Sequence, residues 1–518
     1  MAFIVKKKIR DNEYFYLNEN KRVGGKVKTR TLAYLGKNKS DADKKAREII
    51  KKLERGKNEE KMENQNSEKS NVADEASTKI SIEDMATFCK RKGFVYQSGE
   101  IYGGLSGFWD FGVLGTELKN NIKKEWWKFH VFSRQDIVGI DGAVITNPKV
   151  WEASGHVGHF VDVEVFNKKT KEKFKIDKHE IPKYENNKDF EIRGEFNPMF
   201  TTQVGPVRED SLLSYLRPET AQLIFTNFKS VYENSRASLP FGIAQIGKAF
   251  RNEISPRDFL FRSREFEQME IEYFILPGEK CPYKIPDVEV FVYSSDDQVS
   301  KQEMKKMKIS DAWKKGIIKS DWHAYWLATE LNWFFSLGAN PEKFRIRQHF
   351  PDELSHYSSD TWDVEYNFPF GWKELEGIAD RGDYDLSQHE KFSKKDLKIF
   401  DEKTKSKVLP HVICEPSLGV ERAFLVFMFD SYFYDKSRDN VILKLNPKLS
   451  PVKAAIFPIV KKPEYEKIAT DVFDILKEEW DVIYDKSGSI GRRYSRNDEI
   501  GTPYCITIDE KSLKKKDV

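Results

Sequence analysis

"FRNEISPRDFLFRSREFEQMEIEYF", Phe250 to Phe274, crowds arginines and glutamates into a segment otherwise made of strand-forming aromatic and apolar residues. Charged groups are costly to bury, so the segment either lies on a solvated surface or grips something charged. Ser255-Pro256 and Arg257-Asp258 are turn-prone, which predicts two antiparallel strands, Ile243–Glu253 and Phe261–Phe274, joined by a loop. Alternation puts Arg251 and Glu253 on one face of the first strand and groups Arg262, Arg264, Phe266, Glu270 and Glu272 on one face of the second. Phe266 is four residues from both Arg262 and Glu270, roughly 13 Å each way at strand rise. One face would then present cation, aromatic plate and carboxylate in series, which suits a nucleotide lying next to an amine. A hairpin whose charged face meets water fits as well, and the opposite face is mixed, with Glu265 and Glu267 beside Met269, Ile271 and Tyr273. Parity leaves both open.

Around this segment the composition is ordinary for a soluble protein. The 518 residues are 39% hydrophobic and 33% charged, enough chain for two or three domains with a sizeable core. No apolar run approaches a membrane span and "MAFIVKKK" is too short for a signal-peptide core, so a cytoplasmic protein is expected. Cys89, Cys281, Cys414 and Cys505 form no CxxC pair, which suggests neither a disulfide framework nor a structural zinc site. The net charge of +4 is unevenly spread: residues 1–57 hold 18 Lys and Arg against 7 Asp and Glu, leaving a balance of −7 for the remainder.

Pattern changes divide the chain into four parts. Residues 1–57 read as a small basic module, with strands around a Gly24-Gly25 turn and a capped helix from Ser40 to Gly56. Residues 58–79 lack aromatics and periodicity and read as a flexible linker. Residues 80–445 mix aromatic strands with helices such as the one carrying Leu114, Leu118, Ile122 and Trp126 on one face. Residues 446–518 read as a small α/β domain: strand "KAAIFPI", a helix with the stripe Ile468, Val472, Leu476 and Trp480, then strands "DVIYD" and "YCITID". "GEIYGGLSGFWDFG" is glycine-rich, but no GxxxxGK[ST] is present, which disfavours a P-loop. "HVGH", His156 and His159, has metal-like spacing without a companion ligand signature, so a structural role is expected for both. His356 in "HYSSD" could suggest acid-base work.

The form arginine-x-glutamate, loop, arginine-x-x-x-phenylalanine in the opening segment resembles motif 2 of class II aminoacyl-tRNA synthetases, and the whole segment resembles the homodimeric glycyl members. Other blocks agree in order: "DGAVITNPKVWEASGHV" resembles motif 1 with Pro148 at the dimer interface. "LRPETAQLIF", "HYSSDTWDVEYNFPFGWKELEGIADR" and "EPSLGVERAFLVFMFD" resemble the substrate strand, the return from the insertion and motif 3. "SGSIGRRYSRNDEIGTPYCITID" resembles the anticodon-binding domain. The implied fold is α+β and multidomain: an antiparallel class II sheet flanked by helices over residues 80–445, a C-terminal α/β anticodon-binding domain over 446–518, and the basic N-terminal module.

The resemblance implies glycine, ATP with Mg²⁺, and tRNA(Gly) as partners, in a homodimer with no membrane association. It assigns Arg251 to the α-phosphate, Arg262 to the γ-phosphate, and Phe266 and Arg422 to the two sides of adenine, with Asn252, Glu253, Phe261, Arg264, Glu374, Leu375 and Gly419 completing the ATP site. A guanidinium suits such work because it is always charged, planar and bidentate. Glu374 and Glu415 fall near ATP, where a carboxylate can hold Mg²⁺. The glycine site comprises Glu219, Phe266, Glu270, Glu415, Ser417 and Lys175. Without the resemblance, Glu219 reads as a helix-start carboxylate after Pro218, and Ser417 as a turn hydroxyl. Lys175, in "FKIDKH", stands where the family often has an arginine, in "FRADH". The family usually continues past "ITIDEKSLKKKDV" with another strand and helix, so the anticodon domain is expected to be incomplete. The basic module is not standard in the family and faintly resembles modules of transposase-like proteins. Two alternatives remain open: a class II synthetase for another small amino acid, and a non-catalytic tRNA-binding paralogue.

Overall fold

The computed structural model describes three backbone strands within residues 2–36, the isolated positions 41 and 45, and residues 80–515 other than 160, 177–179, 207–211 and 356. Apart from positions 41 and 45, which are helical, the predicted helix Ser40 to Gly56 lies outside the described residues, as do the linker and His356. The chain divides into two compact units, Met1–Lys79 and Ile80–Val518. In the first, β1 (Ala2–Ile9), β2 (Asn12–Val23) and β3 (Lys26–Gly36) form an antiparallel sheet in the order β1-β2-β3.

The second unit is built on a nine-stranded sheet. Its strands are β4 (Ile137–Ile140), β5 (Phe241–Phe250), β6 (Glu265–Ile275), β7 (Glu289–Tyr293), β8 (Lys305–Lys308), β9 (Phe344–Gln348), β10 (Asp360–Phe368), β11 (Gly371–Asp380) and β12 (His411–Gly419). Their spatial order is β8-β7-β9-β10-β11-β12-β6-β5-β4, antiparallel except for the pairs β7–β9 and β4–β5. The expected strand ends move: Arg251, Glu253, Arg262 and Arg264 lie in the connection between β5 and β6, not on the ladder. Asp258 and Phe259 have left-handed φ values of 59° and 54°, which end any extended run, and the amide of Asn252 turns away to the carbonyl of Pro198 at 2.7 Å.

Pleat alternation on β6 separates two environments. Met269, Ile271 and Tyr273 are fully buried in the main core. Facing them are α4 (Asp321–Ser336) and α6 (Val420–Ser431), separated in the chain by α5 (Tyr384–Ser393) and preceded by α1 (Val113–Trp127), α2 (Pro148–Ala153) and α3 (Ala221–Ser235). α4 is apolar nearly all round, with Trp322, Trp326 and Trp333 buried, as a helix inside a core must be. α1 contributes Leu118, Ile122 and Trp126 to the same core, as their spacing predicts. On the other face of β6, Phe274 packs against Phe225 and Phe228 of α3, while Phe266, Gln268 and Glu270 are left to line a cavity.

Residues 454–508 form a three-stranded parallel sheet in which Ala454–Pro458 lies between Val482–Tyr484 and Tyr504–Ile508. Ile468, Val472 and Leu476 face this sheet from the helix Pro463–Leu476. Trp480 falls beyond the helix end, is 41% exposed and stacks on Tyr504. The sequence reading missed the helix Ile490–Asp498, whose Arg493 is buried and donates to the carbonyls of Pro458 and Gly488.

Candidate active site

A cavity of about 350 Å³ opens on the polar face of the sheet. Neighbouring strands supply its floor: Phe266, Gln268 and Glu270 from β6, Glu415, Ser417 and Gly419 from β12, and Glu374, Gly377 and Ala379 from β11. On β12, alternation sends Glu415 and Ser417 inward together. On β11, strict alternation would put Glu374 on the face opposite Gly377. A bulge at Leu375, where Val364 pairs with Glu376 but Glu365 with Glu374, shifts the parity and brings all three to the cavity.

One end is acidic and enclosed. Glu219, on the loop before α3, is 7% exposed, and its Oε2 lies 3.2 Å from His156 Nε2. Its Oε1 accepts from Gln222 Nε2 at 3.0 Å and is 3.9 Å from Arg381. Burial alone would raise this carboxyl, but His156 and then Arg381 hold it well below the usual range. Glu270 accepts from Ser417 Oγ at 2.8 Å and from the hydroxyl of Thr220. Its carboxyl is pushed up by burial and by the charge of Glu219. Arg217 fixes the loop that carries Glu219 and Thr220, donating to the carbonyls of Lys248 at 2.6 Å and Gly142 at 2.8 Å.

The other end is basic and aromatic. Arg251, Arg262, Phe261, Phe266 and Arg422 line it together with Glu253, Glu374 and Lys175. The guanidinium of Arg251 sits 5.5 Å from the Phe266 ring centroid, and its Nε donates to the carbonyl of Pro218 at 2.9 Å. Arg422, in the first turn of α6, lies 4.8 Å from the Phe261 ring and donates to both the carbonyl and the carboxylate of Glu374 at 3.0 Å. That proximity holds the Glu374 carboxyl below its ordinary value. Lys175 pairs with Asp162 at 3.2 Å and reaches Glu253 at 3.7 Å.

Three expected residues are not on the cavity wall. Leu375 is fully buried in the main core, and Asn252 is turned to Pro198. Arg264 braces the connection from behind, donating to the carbonyls of Glu253 at 3.0 Å and Ser106 at 2.9 Å. This brace is why Gly107 matters: at φ +77° it packs so closely that a Cβ would lie 2.8 Å from Pro256. Pro148 is the first residue of α2, behind an Asn147 cap, and is not among the residues that line the cavity.

The structure also separates the two carboxylates expected beside a metal. Glu415 sits opposite Ala379, five residues along β11 from Glu374, a span of about 15 Å at strand rise. Glu374, beside the guanidiniums, fits Mg²⁺ carried in with ATP. Glu415 lies elsewhere: its Oε1 is paired at 2.6 Å with Arg381, and it has a carboxylate oxygen within 4.8 Å of those of Glu270 and Glu272 at the acidic end, three carboxylates spaced closely enough to share a cation.

Sequence reasoning assigned no role to Arg381. It is 1% exposed, paired with Asp385 and Glu415, and its guanidinium is 3.8 Å from the Tyr357 ring centroid. The available signal was parity: Gly377 and Ala379 at the end of β11 and Arg381, one residue past it, follow in alternation. His349 and Asp363, 2.7 Å apart, also line the cavity. Burial pushes the Asp363 carboxyl up to about 6, with His349 pulling the other way.

Comparison with known proteins matches this geometry. Residues 200–432 fit the tRNA synthetase class II core domain (G, H, P, S and T), residues 453–518 the anticodon binding domain, and residues 4–68 the N-terminal domain of IS1634 family transposases. A glycine–tRNA ligase of Thermobifida fusca is 43% identical over 84% of this chain and 91% of its own length. That of Borreliella burgdorferi is 43% identical over 85% of this chain and 92% of its own. Among solved structures, a Giardia lamblia prolyl-tRNA synthetase in complex with prolyl-adenylate has a TM-score of 0.52 at 16% identity, over 85% of this chain and 73% of that one, a likeness of fold. With a class II core in the matching region and an identity of 43% over most of its length, the chain belongs to the glycine–tRNA ligase family of class II aminoacyl-tRNA synthetases.

Proposed function

We propose that this chain attaches glycine to tRNA(Gly) through a glycyl-adenylate. The observation that carries the reading is one cavity with a carboxylate-lined end, Glu219 and Glu270, and a guanidinium-lined end, Arg251, Arg262 and Arg422. The glycine ammonium meets Glu219, Glu270 and Ser417 in charge-assisted contacts. Its carboxylate then points toward the basic end, where adenine lies between Phe266 and Arg422 and the α-phosphate meets Arg251. The carboxylate oxygen attacks the α-phosphorus and pyrophosphate leaves; a terminal adenosine hydroxyl of tRNA next takes the glycyl group and AMP leaves. No side-chain nucleophile is needed, so positioning and electrostatics do the work. Mg²⁺ bound to ATP beside Glu374 would neutralise phosphate charge. Arg381 keeps the amine end from becoming a mutually repelling set of carboxylates. Glycine-dependent ATP–pyrophosphate exchange by the purified chain tests the reading, and exchange driven better by alanine or serine would replace glycine as the substrate.

Glu219→Gln and Glu270→Gln should each weaken glycine binding by about 1.5–3 kcal/mol, the value of a charge-assisted contact, while leaving ATP binding near wild type. Calorimetry with each ligand separately checks this. Equal losses for both ligands would assign the two glutamates a general structural role.

Dimerisation through the Pro148 region is supported by a neighbouring three-stranded sheet that leaves Ile145, Val204, Leu212 and Leu213 about half exposed. The C-terminal domain and the basic module are the parts suited to tRNA. Residues 1–57 carry +11, and phosphate contacts from such a segment release counterions. Deleting them should leave exchange unchanged, weaken tRNA binding at low salt and flatten the slope of log affinity against log salt. An unaltered slope would show that the module does not contact RNA.

A further inference from the structure

Amine recognition depends on where the Glu219 carboxylate is held, and one of its oxygens is held by a residue outside the cavity wall. His156 is buried at the start of the short helix His156–His159. Its Nε2 is 3.2 Å from Glu219 Oε2, and its Nδ1 is 2.8 Å from Ser154 Oγ. The ring packs edge-on against Trp151 with centroids 5.4 Å apart, and Trp151 is itself fixed by a 2.6 Å bond from Nε1 to Thr146 Oγ1. Asn197 Nδ2 donates to the His156 carbonyl at 2.9 Å. The imidazole is thus held at its edge, its face and its backbone.

The ionised carboxylate of Glu219 can only accept, so the ring nitrogen that faces it, Nε2, carries a proton; Ser154 Oγ, which also lies 3.3 Å from the Trp151 carbonyl, holds Nδ1 on the far side of the ring. Competition makes this bond consequential. The other oxygen of Glu219 lies 3.9 Å from the Arg381 guanidinium, and a carboxylate released from His156 can turn to pair with that arginine. It would then be lost to an incoming ammonium.

We propose that His156 is a positioning residue for glycine recognition: by donating from Nε2 it holds Glu219 Oε2 in place for the substrate ammonium and away from a closer pairing with Arg381. The inference rests on the reading of Glu219 as an ammonium partner.

The test compares two amides. Gln at 156 can place an N–H near the position of Nε2, whereas Asn can place one only near Nδ1. His156→Asn should raise KM for glycine about tenfold, the value of one charged hydrogen bond, with KM for ATP within about twofold of wild type. His156→Gln should stay within about threefold for both. In a Glu219→Gln background, His156→Asn should add less than about twofold, because the two residues act through one contact. Equal impairment by Asn and Gln, parallel rises for glycine and ATP, or effects that multiply in the double variant would each overturn the proposal. Glu219→Gln with an unchanged KM for glycine would instead overturn the reading of Glu219 itself. Should His156→Asn fail to fold, Ser154→Ala removes the partner of Nδ1 and keeps the ring; it should raise the glycine KM alone, about threefold, and an unchanged value would overturn the proposal.

Discussion

Arg251→Ala should slow glycyl-adenylate formation by about 10²–10³-fold, the cost of removing one group that meets charge developing in a transition state. Arg251 lines the basic end, 5.5 Å from Phe266, and its Nε is tied to the Pro218 carbonyl of the loop that carries Glu219. It therefore links the two ends of the cavity and is held in place before ATP arrives. The backbone of Arg251 bonds to that of Arg264 at 2.9 Å whatever the side chain, so the fold should survive the substitution. Pyrophosphate exchange alongside a thermal melt reads both quantities. A variant that folds normally and exchanges at the wild-type rate would remove Arg251 from the α-phosphate.

Arg381→Met should cost about 3–5 kcal/mol of stability, because removing one partner of a buried ionic group leaves the remaining charges uncompensated. The partners left without their cation are Asp385, Glu415 and, at 3.9 Å, Glu219, all buried beside a guanidinium that is 1% exposed. Methionine matches much of the side-chain volume, so packing loss is a minor part. Where the carboxylates are protonated the penalty falls, so the difference in denaturation midpoint between wild type and variant should shrink as pH is lowered. Saturating glycine should restore part of the stability, since an ammonium in the pocket replaces some of the missing positive charge. A variant as stable as wild type at neutral pH would mean that Arg381 does not hold the cluster together.

Much of the fold follows from local sequence. The apolar positions of α1 and the stripe Ile468, Val472 and Leu476 occur where their spacing puts them, because helical periodicity needs no knowledge of the partner surface. The face of β6 carrying Phe266, Glu270 and Glu272 was legible for the same reason. The strand itself stops at Glu265, so Arg262 and Arg264 lie off it; Arg262 still lines the cavity with Phe266 and Glu270, whereas Arg264 turns away to brace the connection. Left-handed backbone at Asp258 and Phe259 ends the ladder there, and a charged strand and a charged loop look alike in composition.

Sequence by itself determined the family-forming blocks, the domain types and most of the residues that line the cavity, because each depends on residue identity and short spacing. Tertiary structure alone decided which charges meet. The bulge at Leu375 turns Glu374 inward with Gly377 and Ala379, the register of β11 on β12 parts Glu374 from Glu415, and Arg381 draws Glu415 to the amine end. The His156 ring meets Glu219 across 63 residues of chain. Pair energies between charges depend on separation and burial, and neither quantity is carried by a one-dimensional pattern once strands shift by a single residue.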